Sequence, residues 1–393
     1  MAPKKDEMTS RERVRATIEG KPVDRVPVMY WPNSHATARL IAEFELANSR
    51  VWNTLAKWLW KKFMTGGEMD AKEIWRGLPL IFHVYGVTEY ALQLGGDMAE
   101  VAYGNSKYWV KKVYFDHGKF RVRDASGSVR GIGGIYPDVI EPGIKSITDL
   151  VNFQFNEARG DEHYAGIRKF RAKHPDACIY ASNFGVQDLP STQMWDMASM
   201  YKAFVDYPDE VKEFQRRWAD CMIGIGVREI RAGADIIFIY DDYGYTGRPL
   251  ISMKMWKEFT YPHLRRMIAA FHEEGAKVML HSCGYQMPFL PYYMEAELDV
   301  LQSFQPKAGN DFAQAYAEYG DRLTFNTGID IQLGEMMTPE ELRADILRSY
   351  RIGGRHGRHI MGMSHMLQFT MPIENMRMIF ETVREIQTGK HDL

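Results

Sequence analysis

The sequence contains little cysteine, with Cys178, Cys221 and Cys283 the only three in 393 residues. An odd number of widely spaced cysteines argues against a disulfide framework and favours a reducing compartment, so we expect a cytoplasmic protein. Residues 1–13 lack the apolar segment of a secretory signal, and no apolar run approaches the roughly 18 residues of a membrane span. The basic excess typical of nucleic-acid-binding proteins is also missing, because the formal net charge is −2. These absences predict that the protein binds neither membranes nor nucleic acids.

Strand-like runs alternate regularly with amphipathic helices from residue 146 onward. The predicted strands are Ala177–Ser182, Asp235–Tyr240, Lys277–Leu280, Asp299–Phe304, Arg322–Thr327 and His359–Met363, preceded near the N-terminus by Arg25–Trp31. Strands separated by helices at this spacing form parallel sheets. An eighth strand is expected between residues 81 and 140. We therefore predict a closed (β/α)8 barrel, with an open doubly wound sheet as the alternative.

Two segments outside this alternation are predicted to extend the barrel. Thr9 and Glu12 have the spacing of a capping box, and Gly20 with Pro22 ends the helix that follows, so residues 1–22 form an N-terminal helical extension. Residues 81–143 show little helical periodicity and include two strand-like runs around a turn sequence at 116–118. This pattern predicts a small antiparallel insertion over one end of the barrel. No linker divides the chain, so we predict one domain over residues 1–393.

The stretch Lys277–Gln286 (KVMLHSCGYQ) carries the clearest chemical signal. Successive side chains of a strand point to opposite faces, so His281 and Cys283 share one face. Imidazole nitrogen and thiolate sulfur are both good zinc ligands, and Gly284 allows the chain to turn away behind them. A single pair of this kind also occurs among core residues, so the pair alone leaves both interpretations open.

Polar side chains follow nearly every predicted strand, where a barrel would bring them together at one mouth. They are Asn183, Asp241, Asp242, His281, Cys283, Gln305, Asp330, Ser364 and His365. A catalytic zinc needs three protein ligands, and His365 is the best-placed third candidate. Cys178 begins its strand and should face the opposite end, whereas Cys221 lies within a helix on the outside. Structural roles remain open for the acidic residues, because Asp241 or Asp242 could cap the next segment and Asp330 could be a helix N-cap.

With these residues in place, the chain resembles the uroporphyrinogen decarboxylase superfamily, a group of (β/α)8 barrels. The matching segments are Arg25–Val28, Tyr240–Gly244, Pro249–Ser252, His281–Gly284, Leu301–Asp311, Gly328–Asp330 and Pro372–Asn375. The resemblance is greatest to the branch of zinc- and corrinoid-dependent methyltransferases. In that branch zinc is held by a His-x-Cys pair and a cysteine about eighty residues later, which would fall near His365. Either His365 replaces that cysteine, making the metal more positive by one charge unit, or the metal site is degenerate.

The resemblance also bears on the substrate. The decarboxylase carries an arginine-rich segment after its first strand, which pairs with the many carboxylates of its substrate, whereas residues 32–39 contain a single arginine. Aromatic residues occupy this part of the chain instead, and they either fill a helical core or line an aromatic pocket: Tyr30, Trp31, Trp52, Trp58, Trp60 and Trp75. We assign substrate binding to Tyr30, Trp31, Tyr240 and Asp330.

The resulting hypothesis is a zinc-dependent methyltransferase that acts with the corrinoid of a partner protein. A methoxylated aromatic or a methylated amine would be the methyl donor, as in an O-demethylase. Asp241 or Asp242 would protonate or orient the leaving group, and Asn183 would bind substrate. The alternatives are methyl transfer from a methylcobamide to a thiol, a decarboxylase, and a non-catalytic tetrapyrrole-binding relative. Donor, acceptor, direction and oligomeric state stay open, and a homodimer is one option.

Overall fold

The structure, a computed structural model, describes residues 6–32, 34–44, 46, 54, 58, 89–103, 110–116, 119–131, 138–188, 190–354 and 357–390. The helices within these residues are α1 (Ser10–Ile18), α2 (Ser34–Phe44), α3 (Glu89–Gln93), α4 (Ile147–Val151), α5 (Ala165–Lys173), α6 (Met197–Asp206), α7 (Pro208–Ala232), α8 (Met253–Phe259), α9 (Tyr261–Glu273), α10 (Leu290–Glu295), α11 (Phe312–Tyr319), α12 (Ile331–Gly334), α13 (Pro339–Ser349) and α14 (Ile373–Thr388). The strands are β1 (Val28–Met29), β2 (Met98–Glu100), β3 (Val110–Asp116), β4 (Lys119–Asp124), β5 (Val129–Gly131), β6 (Asp138–Glu141), β7 (Cys178–Phe184), β8 (Ile236–Tyr240), β9 (Gly244–Tyr245), β10 (Arg248–Pro249), β11 (Lys277–His281), β12 (Val300–Gln302), β13 (Thr324–Ile329) and β14 (His359–Met363).

Eight strands form one parallel sheet in the order β1-β14-β13-β12-β11-β8-β7-β2. The two end strands are joined by Asp97, whose N–H donates to the Val28 carbonyl at 2.7 Å and whose carboxylate accepts the Val28 N–H at 2.9 Å. Arg13 and Arg25 form ion pairs with the same carboxylate at 2.6 and 2.8 Å, so its buried charge is compensated. These contacts close the sheet, and the predicted (β/α)8 barrel is confirmed. Strand β2 is the eighth strand that was expected between residues 81 and 140.

The N-terminal helix α1 closes the bottom of the barrel. Thr9 and Glu12 form the predicted capping box, with the Thr9 N–H donating to the Glu12 carboxylate at 2.9 Å and the Glu12 N–H to the Thr9 hydroxyl at 3.2 Å. Val14 and Ile18 on this helix are buried against the side chains of the barrel interior. Substrate access is therefore left to the opposite end, where the carboxyl ends of the strands lie.

A second, four-stranded antiparallel sheet has the order β3-β4-β5-β6. Asp116 pairs with Lys119 at the end of the β3–β4 ladder, as expected for a hairpin at this turn sequence. The small antiparallel insertion predicted from the sequence is therefore present. Among the described residues, no helix is both long and apolar enough to cross a membrane.

Two layers of buried side chains surround the sheet, as the period of two along a strand requires. Inward-facing residues fill the barrel, and they include Met29, Trp31, Met98, Cys178, Tyr180, Ile236, Phe238, Met279, Val300 and Ile360. Outward-facing neighbours such as Tyr30, Ile179 and Ile237 pack against the helices. This alternation decides which of the residues near each strand end can reach the mouth.

Several strand bounds differ from those predicted, and β1 and β12 are two examples. Strand β1 covers only Val28–Met29 of the predicted Arg25–Trp31, and β12 ends at Gln302 instead of Phe304. The second difference has a local cause, because Ser303 has a positive φ of 75°, which turns the chain out of the strand. Among the tryptophans weighed above, Trp52, Trp60 and Trp75 lie outside the described residues.

Candidate metal centre

Three predicted zinc ligands come together at the mouth of the barrel. His281 ends β11, Cys283 follows two residues later, and His365 follows β14. Their ligating atoms all lie within 4.8 Å of one another, and Nε2 of His281 is 3.3 Å from Sγ of Cys283. Because β12 and β13 lie between β11 and β14 in the sheet, the cluster connects two segments that are not neighbours.

The tautomer of His281 suits metal binding. Its Nδ1 is hydrogen-bonded to the side-chain oxygen of Gln302, while the Gln302 amide nitrogen donates to the Met363 carbonyl at 2.9 Å. Because an amide oxygen can only accept, Nδ1 carries a proton, and Nε2, which lies toward Cys283, is the nitrogen left to bind a metal. A histidine that donates its second ring N–H in this way is typical of metal sites.

The pKa shifts of His365 and Cys283 are also compatible with metal binding. Burial, followed by the nearby His281, lowers the pKa of His365 to about 4, so its imidazole is neutral at neutral pH. Burial and the neighbouring Asp242 carboxylate raise the pKa of the Cys283 thiol, so a nearby cation is needed to hold it as a thiolate. Two imidazoles and one thiol at this spacing fit zinc, which takes nitrogen and sulfur ligands in tetrahedral sites.

The structure separates the roles of the two predicted catalytic aspartates. The carboxylate of Asp241 is buried and accepts backbone N–H groups of Val186, Gln187 and Asp188 at 3.1, 2.9 and 2.6 Å. Burial raises its pKa to about 7. Asp241 therefore holds the loop after β7, and its carboxylate is occupied by these backbone groups. Asp242 faces the cluster instead, with its Oδ1 3.7 Å from Nε2 of His281.

The structure places Asn183, which was predicted to bind substrate, away from the mouth. Its amide nitrogen donates to the Met222 carbonyl of α7 at 3.0 Å, and the side chain is fully buried between the sheet and that helix. Strand β7 continues to Phe184, so side chains alternate between the two faces of the sheet through this region. Ser182, not Asn183, therefore lies on the inner face. Ser182 donates a hydrogen bond to Glu100 at the mouth.

We expect Asn183→Ala to destabilise the protein without changing zinc affinity. Its loss leaves the buried Met222 carbonyl without this donor, which should reduce the free energy of unfolding by about 1–3 kcal/mol. Urea unfolding and zinc titration would measure the two quantities. If Asn183→Ala kept its stability but bound substrate more weakly, Asn183 would be a substrate-binding residue as first predicted.

Tyr30 also faces away from the mouth, in contrast to its neighbour Trp31. The Tyr30 ring packs edge-on against Phe380 of α14 with 5.0 Å between centroids, so the structure does not bring it to the cluster. Trp31 faces the interior, 5.0 Å from the His281 ring and 5.9 Å from the His365 ring. Tyr240 stacks on Trp31 at 5.7 Å, so both residues form an aromatic wall beside the cluster.

Glu100, at the end of β2, belongs to the same wall and was missed by the sequence analysis. Its carboxylate accepts hydrogen bonds from Ser182, from the Tyr240 hydroxyl at 2.9 Å and from Nε1 of Trp31 at 3.3 Å. Burial raises its pKa. Glu100 could have been identified if the position of β2 within residues 81–140 had been predicted, because a carboxylate at the end of a barrel strand is a candidate site residue.

Asp330 is a helix N-cap, the structural role that the sequence left open for it. It caps α12, with Oδ1 accepting the N–H groups of Gln332 and Leu333 at 2.9 and 3.2 Å. It also lines a cavity of about 410 Å³ whose walls include Phe304, Phe312, Arg348 and Ser364 but none of the three cluster residues. Asp330 is thus near the mouth without contacting the candidate metal ligands.

Comparisons with known proteins agree with this architecture. The sequence model of the family described as Uroporphyrinogen decarboxylase (URO-D) matches residues 131–386. The uroporphyrinogen decarboxylase of Coxiella burnetii is 24% identical over 166 residues, covering 40% of this chain and 42% of that protein. That of Chlorobaculum tepidum is 21% identical over 206 residues, covering 50% and 54%. The matches therefore span about half the length of these curated relatives.

A solved structure is similar over a longer stretch. The methyltransferase from Methanosarcina mazei superposes with a TM-score of 0.67 and 17% identity, covering 96% of this chain and 99% of that chain. At this identity the likeness shows a shared barrel fold. Because the family model covers well over half of the sequence, this chain belongs to the uroporphyrinogen decarboxylase family.

Proposed function

We propose that the protein is a zinc-dependent methyltransferase that moves a methyl group between a small molecule and the corrinoid of a partner protein. The observation that carries this proposal is the His281–Cys283–His365 cluster at the mouth of a uroporphyrinogen decarboxylase-family barrel. The fold likeness to the Methanosarcina mazei methyltransferase supports this branch of the family. The methyl donor that we favour is a methoxylated aromatic or a methylated amine, and transfer to a thiol is the alternative direction.

The ligand set gives the proposed centre a particular electrostatic character. When bound, zinc would supply a Lewis acid for the heteroatom that carries the methyl group. His281 and His365 are neutral ligands and Cys283 contributes the single thiolate. The centre is thus one charge unit more positive than one built from a histidine and two cysteines, which favours withdrawal of charge from a departing oxygen or nitrogen.

Asp242 is the carboxylate best placed to act on that heteroatom. Its Oδ1 accepts the Cys283 N–H at 2.7 Å, and 31% of its side chain is exposed. The carboxylate therefore borders the space in front of the ligating atoms while remaining open to solvent. We assign it to orienting the heteroatom or transferring a proton to it.

The aromatic wall suits the favoured donors. Trp31 and Tyr240 stack beside the cluster, and the Phe184 ring lies 5.9 Å from Tyr240. Aromatic faces pack well against a methoxylated ring, and they also attract methylated ammonium groups. The wall would hold the methyl-bearing part of the donor next to the cluster.

A decarboxylase of an acidic tetrapyrrole is the second candidate, favoured by the family model and the names of the curated relatives. A polyacidic substrate needs cationic partners when its charges are buried. Among the described mouth residues, Asp242 and Glu100 contribute carboxyl groups instead. Arg39, the arginine of residues 32–39, donates to the backbone carbonyls of Phe369 and Met371. This charge pattern favours methyl transfer.

Two assays separate these functions. With a reduced corrinoid carrier and a panel of methoxyarenes and methylated amines, we expect methylcobalt to form, seen as a change in corrinoid absorption. With uroporphyrinogen, we expect no carbon dioxide above background. Steady decarboxylation without methylcobalt from any donor would contradict the proposal. If both assays are silent, a methylcobalamin-plus-thiol assay distinguishes the acceptor direction from a binding-only relative.

A further inference from the structure

Two consecutive residues at the end of β12 contact both segments that carry the candidate metal ligands. Gln302 bonds Nδ1 of His281 with its side-chain oxygen and donates its amide to the Met363 carbonyl at 2.9 Å. Ser303 donates its hydroxyl to the Ser364 carbonyl at 2.7 Å, and the same oxygen lies 3.6 Å from Sγ of Cys283. Gln302 therefore connects His281 to Met363, and Ser303 connects Cys283 to Ser364. Met363 and Ser364 are the two residues that precede His365.

The order of strands in the sheet explains why the contacts of Gln302 and Ser303 matter for the spacing of the candidate ligands. Strand β12 pairs with β11, but β13 separates it from β14. On this side of the barrel, backbone pairing connects β14 to β11 through two intervening strands. The side chains of Gln302 and Ser303 connect the two ligand-bearing segments directly across the mouth.

The backbone of Ser303 supports a functional role for this connection. Ser303 is fully buried and has a φ of 75°, a left-handed conformation that a residue with a side chain seldom adopts. Such strain persists where the surroundings hold it, and it concentrates at functional sites. Here the conformation turns the hydroxyl toward Ser364 and Cys283.

We propose that Gln302 and Ser303 are positioning residues that hold His281, Cys283 and His365 at metal-binding distance. The inference rests on the proposed metal centre. Gln302 selects the ring tautomer of His281, and its amide together with the Ser303 hydroxyl keeps the His365 segment close to the pair. Residues that orient ligands in this way contribute to metal affinity without touching the metal.

The test uses variants that separate the hydrogen bonds from the strain. Ser303→Ala removes the hydroxyl and keeps the left-handed residue, whereas Ser303→Gly removes the hydroxyl and relieves the strain. Gln302→Leu removes both amide contacts, whereas Gln302→Glu keeps an acceptor for His281 but loses the donor to Met363. Ser349→Ala, at a nearly buried serine that lines the cavity, is the matched control.

Zinc affinity is measured by competition with a chromophoric chelator, and site geometry by the absorption bands of the cobalt(II)-substituted protein. We expect Ser303→Ala, Ser303→Gly and Gln302→Leu to bind zinc about 10- to 100-fold more weakly, with altered cobalt bands. Gln302→Glu should shift the bands less than Gln302→Leu, and Ser349→Ala should match the wild type. Thermal unfolding of the metal-free proteins checks folding, and Ser303→Gly should unfold at a temperature no lower than Ser303→Ala.

The outcomes distinguish this inference from the proposed function. If the wild type binds zinc and cobalt while Ser303→Ala and Gln302→Leu show unchanged affinity and spectra, the positioning role is wrong and the metal centre stands. If affinity falls only in variants whose metal-free form is unfolded, the two residues are structural and the inference is wrong. If the wild type binds neither metal, the metal centre and the inference both fail.

Discussion

We expect the protein to bind about one zinc ion per chain and Cys283→Ala to lose most of that zinc. Cys283 is the only thiol in the described cluster, and its sulfur lies 3.3 Å from Nε2 of His281. If the three ligands contribute equally to a typical zinc-binding free energy of about 10–16 kcal/mol, loss of the thiolate costs about 3–5 kcal/mol, or roughly 10²- to 10⁴-fold in affinity. Metal analysis of the purified protein and chelator competition would measure the loss. Methyl transfer should fall with zinc occupancy.

The other two cysteines provide the controls for this experiment. Cys178 begins β7 at the closed end of the barrel and Cys221 lies in α7 of the outer layer, so Cys178→Ala and Cys221→Ala should retain zinc. Metal-free protein with full methyltransferase activity would contradict the role of zinc. Unchanged zinc content in Cys283→Ala would show that the cluster is not the site.

The second large effect is expected at His365. Because its buried imidazole is neutral, with a pKa lowered to about 4, it offers a lone pair at neutral pH without a cost for deprotonation. His365→Ala should weaken zinc binding by about two orders of magnitude, since one of three protein ligands is lost. Zinc competition at constant pH would measure this change.

His365→Cys distinguishes a ligand from a structural residue at the same position. A thiolate there should keep one zinc per chain, because it reproduces the histidine and two cysteines of related sites, and it should make the metal a weaker Lewis acid. We therefore expect zinc to be retained while demethylation slows. If His365→Ala binds zinc as tightly as the wild type, the third ligand lies elsewhere and the charge argument fails.

Local sequence patterns were sufficient to predict the residues of the cluster, because each of them lies at or just after the end of a strand. His281 and Cys283 are two residues apart, so the pleat predicts a common face, and the two side chains lie together although β11 ends at His281. His365 could be named because polar residues after parallel strands converge at one mouth, whichever strands are neighbours. The barrel itself followed from the alternation of strands and helices.

Strand ends are harder to locate from the sequence than strands. The sequence predicts that β7 ends before Asn183, but the strand continues through Phe184, and the pleat turns Asn183 toward α7. Tyr30 and Trp31 are adjacent aromatic residues, so composition could not tell which one faces the interior. Asp241 has the residue type of a catalytic acid, yet three backbone N–H groups of another loop occupy its carboxylate.

The sequence by itself predicted the fold class and named the three residues of the candidate cluster, because these depend on residue type, on spacings of a few residues and on position after a strand. Only the tertiary structure decided that Glu100 joins the aromatic wall, that Asp97 closes the barrel, and that Gln302 and Ser303 connect the two ligand-bearing segments. Each of these contacts joins residues tens of positions apart in the chain. Their distances depend on strand order, on the face that each strand presents and on a turn with positive φ, and no local pattern encodes all three together.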